Sequence, residues 1–471
     1  INIKMRNTMS SAAITYTETN QAIPQERGQV ILGCLNEFAR DPLAFFHRLM
    51  STYPDIVEFH IPFNNMALVT SGDLSHQILV SQAKKFRKSD RDVAVMGTVL
   101  GKGLITNNDL ANHKTQRKLV QPGFHFRRIE SYAKTMSDYT SRMTQDWKAG
   151  NRDIADDMFK LTMYIVSKTL FDTDMEHMQS NANNIGETMH IVQTETNKRF
   201  QQALVFPDWV PTRGNRRLVA AKKSLYKTIS SMIETRKNSD LTNADKKPDM
   251  MSMLLEAKYE DGSSMPTELV MDELITLFTA GHETTSNALS WTFYLLALHP
   301  DIQAKLHVEL DSVLNDQDAQ FEHLGELNYT DMVIKESMRL LPPVWTLNNR
   351  QANEDIDIGS YHIPKDKVIF LSPYANHLNP RYFENPNRFD PERFSPENEK
   401  NIPKHVYIPF GSGPRVCIGQ SFAMMEAKII LATIMRRFEV ELDENNVFDP
   451  QPLITLSNNK GMQVKLKSRD N

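Results

Sequence analysis

The sequence predicts a mainly α fold with small β-sheets, built as one large domain, and three observations carry that prediction. From about residue 74 to 340, apolar residues recur at three- and four-residue spacing, as amphipathic helices require. Short β-type runs stand mostly on either side of that stretch. No repeat, low-complexity tract or linker breaks the chain. Its 471 residues would allow about three domains on length alone, but nothing marks a boundary. Glycine is scarce (18) and methionine plentiful (24), which leans the same way.

Taken in order, residues 1–27 read as a loosely attached polar arm and residues 28–471 as the domain. Pro24 to Gly33 leads into an amphipathic segment around Leu35–Met50. Ile56–Ile61 and Met66–Thr70, joined by Phe63-Asn64-Asn65, spell a hairpin. Asn238–Lys247, polar and charge-rich, reads as an exposed loop. A long helix runs from about Pro266 to His299. Pro266 and Glu268 suit its first turn, and Pro300 closes it. Further β signals stand at Tyr361–Ile363, Val368–Leu371, Leu453–Leu456 and Gln463–Lys467, and Ser421–Phe438 has helical periodicity.

Composition removes several classes of function. A net charge of −4 and a pI near 6.4 lack the basic excess of a nucleic-acid binder. Two cysteines, Cys34 and Cys417, exclude a disulfide framework and a cysteine-rich zinc site. No run of about 18 apolar residues exists to span a membrane. The first 27 residues lack the order of a secretory signal. The chain opens on Ile1, so an upstream segment is left open; as written it reads as soluble and cytoplasmic.

The most informative stretch runs from Phe410 to Gly419, Phe-Gly-Ser-Gly-Pro-Arg-Val-Cys-Ile-Gly. Cys417 falls at a loop-to-helix junction, where unpaired N–H groups and the helix dipole favour a thiolate. Gly411, Gly413 and Gly419 permit close approach of backbone and a flat ligand, and Arg415 adds a cation. A dinucleotide fingerprint would need glycine at Val416, and a phosphate loop would need Lys-Ser/Thr where Gln420 follows Gly419. An inert buried cysteine is the bland alternative.

This stretch resembles the haem-ligand loop of the cytochrome P450 monooxygenases, Phe-x-x-Gly-x-Arg-x-Cys-x-Gly, at Phe410, Gly413, Arg415, Cys417 and Gly419. The resemblance implies a cytochrome P450 fold around haem b (iron protoporphyrin IX), with the Cys417 thiolate as axial ligand pushing electron density onto iron. Within the long helix, Ala280-Gly281-His282-Glu283-Thr284-Thr285 is similar to the family's motif over the oxygen-binding face. Ala280 and Thr284 share a face, and a mid-helix threonine can distort the ladder into a notch. His282-Glu283 lacks the second histidine of a zinc protease, since Ser286 stands there. By resemblance, Glu283 and Thr284 deliver the protons that cleave bound dioxygen, and Ala280 and Gly281 line the cofactor.

Glu336 and Arg339, three apart on a helix, would alone be an ordinary ion pair. With Arg393 in Pro391-Glu392-Arg393-Phe394, the resemblance implies a buried structural network behind the cysteine loop. It also implies that His113, Arg117, Arg350 and Arg415 hold the haem propionates, His113 standing where many relatives carry tryptophan. Lys114, Lys118, Arg127 and Arg128 with Arg117 form a basic cluster that could steer an acidic ferredoxin or flavodoxin. Electrons are expected from such a separate protein. Substrate is expected against Asp92–Leu104, Ile185–Val210, Leu277–Ala280, Val344–Leu347 and Ile454–Leu456. Met96, Val99, Leu100, Phe278, Val344 and Ile454 are the candidate walls of a pocket for a lipophilic molecule. Fatty acids, terpenoids and polyketide-like compounds stay open. Two rivals remain beside a dioxygen-using monooxygenase: a peroxide-driven peroxygenase or isomerase, and a non-catalytic haem binder.

Overall fold

The structure, a computed structural model, describes residues 21–62, 64–174, 179–202, 205–238 and 249–469, with backbone alone at 126–127, 179–187, 201 and 235–238. Helices dominate. At the centre lies Thr267–Leu298, 32 residues and about 48 Å long. Apolar residues on nearly every side, among them Val270, Leu274, Phe278, Leu289, Trp291 and Phe293, bury it almost completely. Helices Ile154–Phe171, Asn328–Leu340 and Gln420–Arg437 pack around it. Pro266 precedes the helix, and Pro300 opens the next one, Pro300–Leu314. Both prolines sit where the sequence placed a start and a stop.

The largest sheet has five strands. Ile56–Ile61 pairs antiparallel with Asn64–Val69, which runs parallel to Val368–Leu371, followed by Arg350–Ala352 and Phe86–Lys88. Its β-branched and aliphatic residues, Ile56, Val69, Ile369 and Leu371 among them, build a second apolar core beside the helical one. A three-stranded sheet, Gly150–Asp153 with Gln463–Ser468 and Phe438–Leu442, closes the C-terminus.

Several expectations need correction. From residue 21 the arm is attached, not loose: Gln21 N–H donates to Ser360, Glu58 N–H donates to Pro24, and Ile23 enters the second core. Leu35–Met50 is two helices, Leu35–Arg40 and Pro42–Thr52, because Pro42 cannot continue the first and Asp41 caps the second. Leu453–Leu456 is mainly a turn between the short strands Pro450–Pro452 and Leu456–Asn458. Asn64 and Asn65 already belong to a strand, while Phe63 lies outside the described residues. So does the Asn238–Lys247 loop after Asn238. Among the described residues no helix is long and apolar enough to cross a membrane.

Candidate active site

The cysteine loop is held from two sides. Gly413 has φ +71°, and a Cβ there would lie 1.9 Å from the Leu79 carbonyl oxygen, so only glycine fits. Gly411 also has positive φ. Cys417 N–H donates to the Phe410 carbonyl at 2.9 Å, and two residues later Gly419 caps helix Gln420–Arg437. A Cβ at Gly419 would stand 4.0 Å from Sγ, an ordinary contact distance. Cys417 has accessible surface yet is crowded by protein on nearly all sides, so that surface opens into a recess.

Burial pushes the Cys417 thiol up, against the opposing pull of the Gly419 N–H and the Arg117 guanidinium. The helix start acts on the sulfur as expected, through the Gly419 N–H, but the cation beside it is Arg117 and not Arg415. Arg415 turns away, donating to the carbonyls of Asn107 (2.8 Å) and Asn108 (3.1 Å). A metal ion on the sulfur would settle the matter, because a coordinating thiol is deprotonated outright.

Beside the loop lies a set of cations, Lys88 and Arg350 buried and Arg117 and Arg415 half-buried. Arg117 donates to Val416 O at 2.6 Å and Arg350 to Asn348 O at 2.5 Å. Lys88, which the sequence did not single out, donates to Leu104 O at 3.3 Å and to Ile105 O. Strand register sets Lys88 directly opposite Arg350, an arrangement of like charges that destabilises a sheet. Burial first, and then Arg415, pushes the Arg350 guanidinium down to about 10. His113 is buried and driven to about 3, by burial and then by Arg415, Lys88, Arg117 and Arg350. It is a neutral donor, not a cation. Among the described residues none of these groups ion-pairs with a carboxylate. Buried charges of one sign require a partner, and a flat ligand carrying two carboxylates fits this set as haem does.

The central helix carries the second motif. Thr284 Oγ1 donates back to Ala280 O at 2.9 Å. Glu283 is buried, and burial pushes its carboxyl up to about 7 against a hydrogen bond donated by the Thr455 hydroxyl. His282 is driven down to about 4 by burial, its ring lodged between Phe159 and Phe278. It is a packing residue. Gly281 is also tightly packed: a Cβ there would come 3.2 Å from Val166.

The Glu336–Arg339–Arg393 network forms as expected. Arg339 grips Glu336 through Nε (2.6 Å) and Nη2 (2.7 Å), and its other protons reach the carbonyls of His377, Pro386 and Arg388. Arg393 Nε stands 3.4 Å from Glu336, and Asp390 N–H adds 2.9 Å to the same carboxylate. His377 then accepts Ile408 N–H at 2.9 Å, two residues before Phe410.

The substrate walls divide. Met96, Val344 and Ile454 are half-buried, whereas Val99, Leu100 and Phe278 belong to the main core. Phe278 packs on Phe171 and His282. Lys114 and Lys118 are exposed on helix Leu110–Val120, whose inner face carries His113 and Arg117; Lys118 pairs with Glu260. The Arg127 side chain and part of Ile185–Val210 lie outside the described residues.

Comparison with known proteins agrees with this geometry. Cyclooctatin synthase of Streptomyces melanosporofaciens is 33% identical over 424 residues, covering 89% of this chain and 90% of the relative. Cyclooctat-9-en-7-ol 5-monooxygenase of the same organism is 32% identical, covering 87% of each chain. Pentalenene oxygenase of Streptomyces avermitilis is 28% identical, covering 93% of this chain and 96% of the relative. The Cytochrome P450 family model matches residues 24–466, and with the thiol recess and its cations at the centre of that match, the chain belongs to the cytochrome P450 family of haem monooxygenases.

Proposed function

We propose that this enzyme inserts one oxygen atom from dioxygen into a terpenoid, using haem b and electrons from a separate ferredoxin or flavodoxin. The observation that carries dioxygen use is the buried Glu283 beside Thr284 in the central helix, which packs on Gln420–Arg437, the helix that follows the cysteine loop. A carboxyl poised near 7 can hold a proton and release it at working pH. A peroxide-driven enzyme needs no such donor. Terpenoids are favoured over fatty acids and polyketide-like compounds by relatives named for cyclooctat-9-en-7-ol and pentalenene.

When bound, haem supplies dioxygen activation, which a thiolate ligand promotes. The chain supplies the rest. Cys417 holds the iron, while Arg350, Arg415, Arg117 and Lys88, with His113 as a neutral donor, hold the carboxylates. Glu283 keeps a proton on its carboxyl, and the hydroxyl of the adjacent Thr284 is anchored on Ala280 O. Met96, Val344 and Ile454 supply apolar contact that orients substrate and excludes water. Helix Leu110–Val120 joins the cysteine loop to an outer face bearing Lys114 and Lys118, which supports an acidic electron donor docking there.

The test begins with the dithionite-reduced carbon monoxide spectrum, expected to show the red-shifted thiolate band and to lose it in Cys417→Ser. Turnover of a terpenoid panel should then require dioxygen with a reductase. Equal turnover with hydrogen peroxide alone would overturn the monooxygenase reading. Ligand binding without turnover in both regimes would leave a non-catalytic haem protein.

A further inference from the structure

The turn Leu453–Thr455 is fixed to a degree its sequence does not suggest. Trp345 donates its indole N–H to Leu453 O at 2.8 Å, and Trp291 donates to Leu456 O at 2.9 Å. Leu456 N–H donates to Pro343 O at 2.8 Å. Thr455 is buried, and its side chain is committed on both sides. Asn287 Nδ2 donates to Thr455 Oγ1 at 3.1 Å, and the Thr455 hydroxyl donates to Glu283 Oε1.

A hydroxyl has one proton. Asn287 takes one acceptor direction of that hydroxyl, and among the described residues the acceptor its proton reaches is Glu283 Oε1. While Thr455 donates to Oε1, a hydrogen on the protonated acid sits on Oε2. Asn287 lies one helical turn beyond Glu283, so amide and acid share a face of the helix and converge on the same oxygen.

We propose that Thr455 is a positioning residue for Glu283, fixing which carboxyl oxygen carries the transferable proton and how readily it leaves. This rests on the reading of Glu283 as the proton donor and deepens it. Ile454, one residue earlier on the pinned turn, is a candidate substrate contact, so the segment that touches substrate also holds the acid.

Nothing charged competes for the role. Burial and the Thr455 hydrogen bond are the influences on Glu283. Of the titratable groups on neighbouring elements, Glu426 of helix Gln420–Arg437 lies beside Thr285, and His282 is packed against Phe159. The turn segment Pro450–Thr455 carries no titratable side chain.

The test compares Thr455→Val, which keeps the shape and removes the hydroxyl, with Thr455→Ser, which keeps the hydroxyl. The first readout is the infrared carbonyl stretch of the protonated Glu283 carboxyl in the haem-loaded enzyme, assigned by its loss in Glu283→Gln and followed through a pH titration. Losing a hydrogen bond to the charged form should move the midpoint in Thr455→Val upward by about one pH unit. Thr455→Ser should restore it. The second readout is product formed per reductant consumed, whose pH dependence should move in the same alkaline direction in Thr455→Val. An unchanged midpoint in Thr455→Val overturns the proposal. Tight coupling in Glu283→Gln would instead bring down Glu283 as donor, while the infrared midpoint would still decide Thr455.

Discussion

Two groups of buried arginines lie close to the cysteine loop, and they are built on opposite plans. Around Arg339 every guanidinium proton is used, by Glu336 and by three carbonyls, and a buried carboxylate meets its charge. Around Arg350 and Arg415, cations face cations: Lys88 stands opposite Arg350 across two strands, and carbonyl oxygens are the partners. A closed set holds the fold together. An open one suits a binding site, as proposed here, whose counter-charge would arrive with the ligand. The difference teaches that burial of an arginine says little until its acceptors are counted by charge.

Breaking the closed set should have the largest effect. Arg339→Leu strands Glu336 in the interior and should cost about 3–5 kcal/mol, read as a lower urea midpoint and poor haem incorporation. Wild-type stability in that variant would end the contrast. Arg415→Leu should do the reverse. It removes a half-buried charge that makes no ion pair with a carboxylate among the described residues, so stability before haem loading should hold or rise. Haem transfer to apomyoglobin should quicken on the order of tenfold or more, as expected for one lost charge-assisted hydrogen bond. A large stability loss without faster transfer would move Arg415 into the structural set.

Lys88→Met should act in the same direction as Arg415→Leu but more weakly, a few-fold in transfer rate, because a lysine offers a point charge and no fork. Its like-charge relation to Arg350 predicts a small gain in stability before loading.

The smallest effect concerns pH. His377, whose carbonyl serves Arg339, and His113, among the open cations, are both driven to about 3. Each ring is neutral in the folded protein but takes a proton in the unfolded chain below about 6.5. The stability they contribute is full above that pH and is lost as pH falls towards about 3. His377→Gln should flatten this acid slope with or without haem. His113→Gln should flatten it mainly in the unloaded protein, since carboxylates from the ligand offset the cations acting on that ring. Equal slopes in both states would contradict the open-set description.

What the sequence revealed and what it hid follow from distance along the chain. The cysteine loop, the Glu283–Thr284 pair and the Glu336–Arg339 pair are each spelled within a few consecutive residues, so their spacing could be read. Lys88 could not be found that way: it becomes part of the site only when Phe86–Lys88 pairs with Arg350–Ala352. Thr455 meets Glu283 across 172 positions and carries no local signal. Phe278 shows the limit of periodicity, which marks a buried face without telling core from cavity. Ile454 and Thr455 read as strand because they are β-branched, but they fall at the turn where Pro452 pairs back with Leu456, and two indoles hold that turn.

Those indoles have a practical consequence. The chain has four tryptophans. Trp291 and Trp345 donate to the carbonyls on either side of Ile454 and Thr455, whereas Trp209 is largely exposed, at 81%. With Trp209→Phe removing most of the solvent-exposed emission, the remaining fluorescence would come largely from buried rings that grip the turn. The molecule thus carries its own optical reporter where substrate contact and proton control meet, and a ligand pressing on Ile454 should register as a change in emission before any chemistry occurs.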